Sequence, residues 1–166
     1  MRETAAVVRP ASGSLRSSAA AQTRAYGRAL GKAAEPGTVV ALVGPLGAGK
    51  TELAKGVAEG LGVSTVVSSP TFVLMNEHVG RLRLFHVDAY RLTDAEEALD
   101  AGLLDERQSQ GIVVLEWADR LAGLLPEHRL ELTIEPDPDG GDGRSIHWLA
   151  RGEQHRRLAA AAFEAP

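Results

Sequence analysis

Two short uninterrupted apolar runs, Val39-Val40-Ala41-Leu42-Val43 and Ile112-Val113-Val114-Leu115, organise the chain. A continuous apolar run of this length marks a strand buried on both faces, as in a parallel sheet. Around these runs the period changes. Tyr26, Leu30 and Ala33 share helical spacing, which predicts a helix over residues 22–34 that Pro36-Gly37 ends. Leu53, Val57 and Leu61 repeat at i, i+4, i+8, and Gly62 is placed to stop that second helix. Val63–Val67 predicts a short strand. Phe72–His78 and Leu82–Val87 flank Val79-Gly80-Arg81, the pattern of a hairpin. Thr93-Asp94 caps a helix expected over Ala95–Ala101. Leu130–Glu135 alternates, Asp137–Gly143 is rich in turn residues, and Ser145–Leu149 returns as a strand before a closing helix over 153–163. Residues 1–20 hold Ala, Ser and Arg without a period and read as a mobile arm. Residues 21–166 then form one α/β domain, a three-layer sandwich. Its mixed, mainly parallel central sheet carries a late antiparallel hairpin.

The first apolar run leads directly into Gly44-Pro45-Leu46-Gly47-Ala48-Gly49-Lys50-Thr51, which matches G-x-x-x-x-G-K-[ST] without a gap. Each position has a physical reason. Glycines admit positive φ, so successive N–H groups turn inward around a phosphate. The helix that follows presents its positive end to the same charge. Lys50 reaches the β- and γ-phosphates, and the Thr51 hydroxyl is a magnesium ligand. Lysine occurs at only three positions, 32, 50 and 55, which makes a chance lysine in the motif improbable. The motif identifies a purine nucleoside triphosphate site, with ATP and Mg2+ as the expected ligands, in a P-loop NTPase fold.

Nucleotide hydrolysis also needs a carboxylate near magnesium and a group to orient water. Such acids stand at the carboxyl ends of apolar strands. Asp88 after Leu82–Val87 and Glu116 after Ile112–Leu115 meet that condition, and the sequence does not divide the two roles between them. Thr71, within Ser69-Pro70-Thr71-Phe72, occupies a loop suited to sensing a γ-phosphate, although on pattern alone an ordinary Ser-Pro turn is the commoner reading. His86 reads as a structural residue or a donor to a site carboxylate. Trp117 is a stacking residue or core.

Composition narrows the class. The net charge is −4, with 44% hydrophobic and 24% charged residues. That balance suits a soluble globular protein and argues against strong independent nucleic-acid binding. There are no cysteines, which excludes disulfides and thiolate metal sites. No apolar run approaches the ~20 residues of a membrane helix, and the first residues lack the pattern of a secretory signal. The expectation is a cytoplasmic protein that does not engage a membrane.

Together, Gly-Pro-Leu-Gly-Ala-Gly-Lys-Thr at 44–51, Ser-Pro-Thr-Phe at 69–72, His-Val-Asp-Ala-Tyr-Arg-Leu at 86–92 and Glu-Trp at 116–117 resemble the TsaE (YjeE) family in order and spacing, from about Thr23 to Arg151. That family supplies the ATPase subunit for bacterial synthesis of threonylcarbamoyladenosine in tRNA. The resemblance implies a weak ATPase, stimulated by partners, that regulates or resets the TsaB–TsaD complex and meets tRNA only through it. It implies that Asp88 and Glu116 belong to the nucleotide site, with Glu116 near magnesium, and that Thr71 is a switch residue. Trp117 becomes part of the site or its wall, and Thr23 lies near the nucleotide base. Gly44, Leu46, Gly47, Ala48, Gly49, Lys50, Thr51 and Glu52 form the binding loop. Two positions depart from the family pattern. Pro45 stands where Asp is common, and Glu52 stands where a second Thr is common, adding negative charge beside Thr51.

Other readings remain at this stage. A small-molecule kinase of the P-loop class would want a compact arginine-rich lid, and none stands out. A GTPase would want an Asn-Lys-x-Asp segment, which is absent. A nucleotide-stabilised scaffold without significant turnover fits the same motifs.

Overall fold

The computed structural model describes residues 11–65, 75–90, 106–121 and 123–164. Seven strands and three α-helices follow one another along these segments. They are β1 (Ala11–Ser17), α1 (Ala20–Ala33), β2 (Val39–Val43), α2 (Lys50–Gly60), β3 (Met75–His78), β4 (Leu84–Asp88), β5 (Ile112–Glu116), β6 (Arg129–Pro136), β7 (Arg144–Arg151) and α3 (Glu153–Ala159). Short 3-10 turns cover Glu106–Gln110 and Ala118–Leu121, and a π-helical turn, Ala160–Glu164, extends α3.

All seven strands form one sheet in the order β1-β7-β6-β2-β5-β4-β3. The middle of the sheet is parallel: β6 with β2, β2 with β5, and β5 with β4. The edges are antiparallel, through β3–β4 on one side and β6–β7–β1 on the other. The mixed sheet and the late hairpin therefore stand as the alternation predicts.

Burial explains why β2 and β5 read as continuous apolar runs. Val40, Leu42, Ile112 and Val114 face α1, α2 and α3, whereas Val39, Ala41, Val113 and Leu115 face Phe85, Val87, Ala118 and Leu121 on the opposite side. In β6 only Leu130, Leu132 and Ile134 are buried, all toward the helices. Among the described residues the α-helices lie on one face, and short turns and loop residues cover the other.

Two expectations change, and a third lies outside the described residues. The N-terminal arm is not mobile throughout: Ala11–Ser17 pairs residue for residue with Arg144–Ala150 as an edge strand, and Ser17 is fully buried. Its small polar residues need to cover only one face, so no apolar run betrays it. Val63–Thr65 carries no strand, and residues 66–67 lie outside the described residues. The helix expected over Ala95–Ala101 also lies outside them.

Helices α1 and α2 approach unusually closely. Gly27 and Gly31 on α1 meet Gly56 and Gly60 on α2, and an added Cβ at any of the four would come within 2.2 Å of a carbonyl oxygen on the facing helix. Salt bridges Arg24–Glu52 (2.7 Å) and Arg28–Glu59 (3.0 Å) flank this contact. α2 is thus held by backbone-to-backbone packing, and its first residue is Lys50.

Candidate functional site

The phosphate loop runs from the end of β2 to the start of α2. Gly47 has φ of 79° and Gly49 has φ of 110°, left-handed conformations that residues with a Cβ adopt at a cost. Gly44 abuts β6, where a Cβ would lie 2.5 Å from the Ile134 carbonyl oxygen. Pro45 lacks an N–H, but its carbonyl is in use: it accepts the Ala48 amide at 3.1 Å and the Lys50 ammonium at 2.9 Å. The Gly44 carbonyl accepts the same ammonium. Leu46, at the tip, is 86% exposed.

Lys50 is buried, and its Nζ lies 3.8 Å from the centre of the Trp117 ring. Burial pushes its pKa down, while Glu116, Asp119 and Asp88 pull it back up. Trp117 is the only non-glycine with positive φ among the described residues, at 57°. This backbone conformation costs about 1–2 kcal/mol for an L-residue. It turns the ring beneath Lys50 and against Tyr90, whose ring centre is 4.9 Å away. Trp117 is therefore a wall of the site.

The two strand-end acids meet as their positions predict. β4 and β5 are adjacent and parallel, and their register places Asp88 beside Glu116. Glu116 is buried. One carboxylate oxygen accepts the Thr51 hydroxyl at 3.0 Å, and the other is bonded to Nε2 of the fully buried His86. His86 thereby fixes the carboxylate that contacts the loop. Asp88 accepts the Tyr90 amide at 2.9 Å. Burial foremost, then neighbouring Glu116, raises its pKa against the opposing effects of that hydrogen bond, His86 and Lys50. Glu116 and Asp88 thus place two carboxylates beside the loop, while the Lys50 ammonium is bonded to loop carbonyls rather than to either, an arrangement that suits a cation.

Leu46–Glu52, Asp88, Tyr90, Glu116 and Trp117 line a cavity of about 370 Å³, within the usual range for small-ligand sites. A second cavity of about 120 Å³ adjoins it, lined by Thr23, Gly47–Gly49, Glu52, Asp142 and Arg144 among others. Thr23 is buried there and shares a 2.7 Å hydrogen bond with Ser17, so α1 and β1 bring it to the loop from 26 positions away. Glu52 does not stand as a bare charge. Arg24 clasps one carboxylate oxygen through two donors at 2.7 and 3.1 Å. Burial pushes the Glu52 carboxyl up, but Arg24, with Lys55, holds it below the usual range.

The structure thus brings together Thr23, Gly44, Leu46–Glu52, Asp88, Glu116 and Trp117; Thr71 lies outside the described residues. Sequence reading missed Arg144, whose guanidinium donates to loop carbonyls and which no motif marks. Among the described residues no group of three His, Cys, Asp or Glu side chains forms a metal cage. Magnesium does not require one, because it is usually held by one or two protein oxygens together with phosphates and water. The Thr51 hydroxyl on Glu116, with Asp88 alongside, fits that requirement. No helix among the described residues is long and apolar enough to cross a membrane.

Comparison with known proteins shows the family of the chain and a solved structure of the same fold. A family model described as "Threonylcarbamoyl adenosine biosynthesis protein TsaE" matches residues 17–146. The tRNA threonylcarbamoyladenosine biosynthesis protein TsaE of Bacillus subtilis is 41% identical over 138 residues, covering 82% of this chain and 85% of its own. Its counterpart in Treponema pallidum is 40% identical over 124 residues, covering 75% of this chain and 92% of its own. Among solved structures, that of Bacillus subtilis YdiB superposes with a TM-score of 0.76 at 32% identity, covering 93% of this chain and 96% of the other.

Proposed function

Because the chain belongs to the TsaE family of threonylcarbamoyl adenosine biosynthesis proteins, we propose that it binds ATP with Mg2+ at Gly44–Thr51 and hydrolyses it slowly. Through that cycle it regulates or resets a TsaB–TsaD complex during modification of tRNA. The observation that carries this reading is the hydrogen bond from Thr51 to Glu116, which joins the phosphate loop to a buried carboxylate.

The residues divide the work as follows. Loop amides and the N-terminus of α2 bind the phosphates. The Lys50 ammonium has three donors; the Gly44 and Pro45 carbonyls take two, which leaves one for a phosphate oxygen. Thr51 and Glu116 hold the metal, which when bound supplies positive charge against the phosphate oxygens. His86 orients Glu116 by its hydrogen bond, so the carboxylate does not need to reorganise on binding. Asp88, less buried and beside Glu116, orients water. Thr71 senses the γ-phosphate. Thr23 contributes to the wall beside the loop, where the nucleoside is held. Trp117 keeps Lys50 from solvent on one side.

The experiment measures nucleotide binding and phosphate release for the protein alone and with purified TsaB and TsaD. Slow release that rises with the partners, and that falls to background in Lys50→Ala and Glu116→Ala, supports the proposal. If both substitutions leave binding and turnover unchanged with partners present, the site assignment is wrong. Binding without turnover under every condition would favour the scaffold reading, and phosphate appearing on a small acceptor would favour a kinase.

A further inference from the structure

Arg144, the first residue of β7, spans two loops that are far apart in sequence. Its Nε donates to the Ala48 carbonyl at 2.9 Å and its Nη2 to the Gly47 carbonyl at 3.2 Å. Its Nη1 donates to the carbonyls of Gly141 and Gly143 at 3.0 and 2.9 Å. One planar cation therefore holds four carbonyls, two in the phosphate loop and two in the loop between β6 and β7. Arginine suits this task because its donors lie in a rigid fork.

The consequence for the phosphate loop follows from peptide geometry. In a trans peptide the carbonyl oxygen and the next residue's N–H lie in one plane and point in opposite directions. Holding the Gly47 and Ala48 carbonyls toward Arg144 turns the amides of Ala48 and Gly49 the other way, into the loop. Without that hold, the Gly47–Ala48 unit keeps only the bond from the Ala48 amide to the Pro45 carbonyl, and the Ala48–Gly49 unit, beside the flexible Gly49, is free to rotate.

The opposite side of the fork rests on a stiff support. The Asp137 amide donates to the Gly143 carbonyl at 3.0 Å, and the Gly140 amide to the Asp137 carbonyl at 3.1 Å. The Asp137 carboxylate is clasped by Arg16 of β1, with one contact at 2.6 Å. A Cβ at Gly143 would lie 2.1 Å from that carboxylate, so the Asp137 side chain packs directly against the Gly143 backbone.

We propose that Arg144 is a positioning residue for the phosphate loop, holding the Gly47 and Ala48 carbonyls outward so that the loop is ordered for phosphate before the nucleotide arrives. It also ties the order of that loop to the β6–β7 loop. The proposal rests on the reading of Gly44–Thr51 as a nucleotide site.

The test is calorimetric titration of ADP into the full chain and into three variants, with thermal melting of each. Arg144→Ala weakens ADP binding about tenfold, since the loop must then be ordered at the expense of binding. Arg144→Lys, which keeps the charge but not the fork, lies in between and serves if the alanine variant folds poorly. Arg81→Ala is the control. Arg81 likewise donates to backbone carbonyls, those of Gly31 (2.8 Å) and Ala34 (3.0 Å), but at the far end of α1. It lowers the melting temperature and leaves ADP affinity unchanged. The proposal is overturned if Arg144→Ala binds ADP as the parent does, or if Arg81→Ala weakens binding as much. If the parent does not bind ADP, the nucleotide reading itself fails, a result distinct from either.

Discussion

Replacing Gly56 by alanine tests how α2, and with it Lys50 and Thr51, is anchored. The new Cβ would sit 2.0 Å from the Arg24 carbonyl oxygen. An ordinary carbon–oxygen contact is about 3.3 Å, so the helices would have to separate locally by about 1.3 Å. No rotamer relieves the clash, because one partner is Cβ and the other is backbone. Two effects compete. Alanine favours a helix over glycine by about 1 kcal/mol. Overpacking costs about 1–3 kcal/mol when side chains can adjust, and more when they cannot. The clash dominates, and a net destabilisation of roughly 2 kcal/mol or more is expected, a large share of the 5–15 kcal/mol typical of whole domains. Urea unfolding of parent and variant measures it through the shift in midpoint, with the slope showing whether the transition stays comparable. ADP affinity should fall as well, since α2 carries the loop's last residues. An equal or higher midpoint for Gly56→Ala would refute the close contact and the anchoring derived from it.

Three further outcomes are expected. Removing residues 1–17 should lower the unfolding midpoint markedly rather than leave it unchanged, because β1 pairs along its whole length and Ser17 bonds Thr23 beneath the loop. Arg24→Ala should weaken ADP binding a few-fold, more at low salt than at high, by leaving Glu52 with only Lys55 for a partner near the phosphates, and adding Glu52→Gln should restore it. Acid should destabilise the fold through His155, whose Nε2 accepts the Val39 amide at 3.0 Å and whose pKa falls from 6.5 to about 4, chiefly by burial and then by nearby His128. The unfolded chain takes up the proton first, so stability is complete above pH 6.5 and declines as pH falls toward 4. The loss is at most about 3 kcal/mol, less where water screens the ring. Urea midpoints between pH 7 and 4 measure this, and His155→Gln, which keeps an acceptor but does not titrate there, should flatten the dependence.

What was legible in the sequence followed from periodicity and motif. β2 and β5 are buried on both faces, so their apolar runs are unbroken, and the phosphate loop between β2 and α2 is a contiguous string. Asp88 and Glu116 were legible because a parallel sheet brings strand ends to one edge. The illegible parts depend on contacts between distant segments. β1 is a strand because β7 is there to pair with it, and its own Ala-Ser-Gly-Ser-Leu-Arg-Ser carries little preference. Arg144 recognises backbone carbonyls, which every residue offers. Glu52 looked like an uncompensated charge because its partner, Arg24, is on another helix. The glycines at 27, 31, 56 and 60 did carry a signal, since each pair is spaced i, i+4 on a predicted helix face, a spacing known for close helix contact.

The pairing of β1 with β7 also has a consequence for the order of events during synthesis. The first strand of the sheet finds its partner only after residues 144–150 have been made. The phosphate loop is complete in sequence at residue 51, yet Gly44 rests on Ile134 of β6, and Arg144 arrives later still. A nascent chain therefore carries the whole binding motif long before it carries its supports. Contacts this far apart in sequence form slowly, because the intervening chain must be closed first. Nucleotide binding should accordingly appear late in folding and should signal that the C-terminal half has docked.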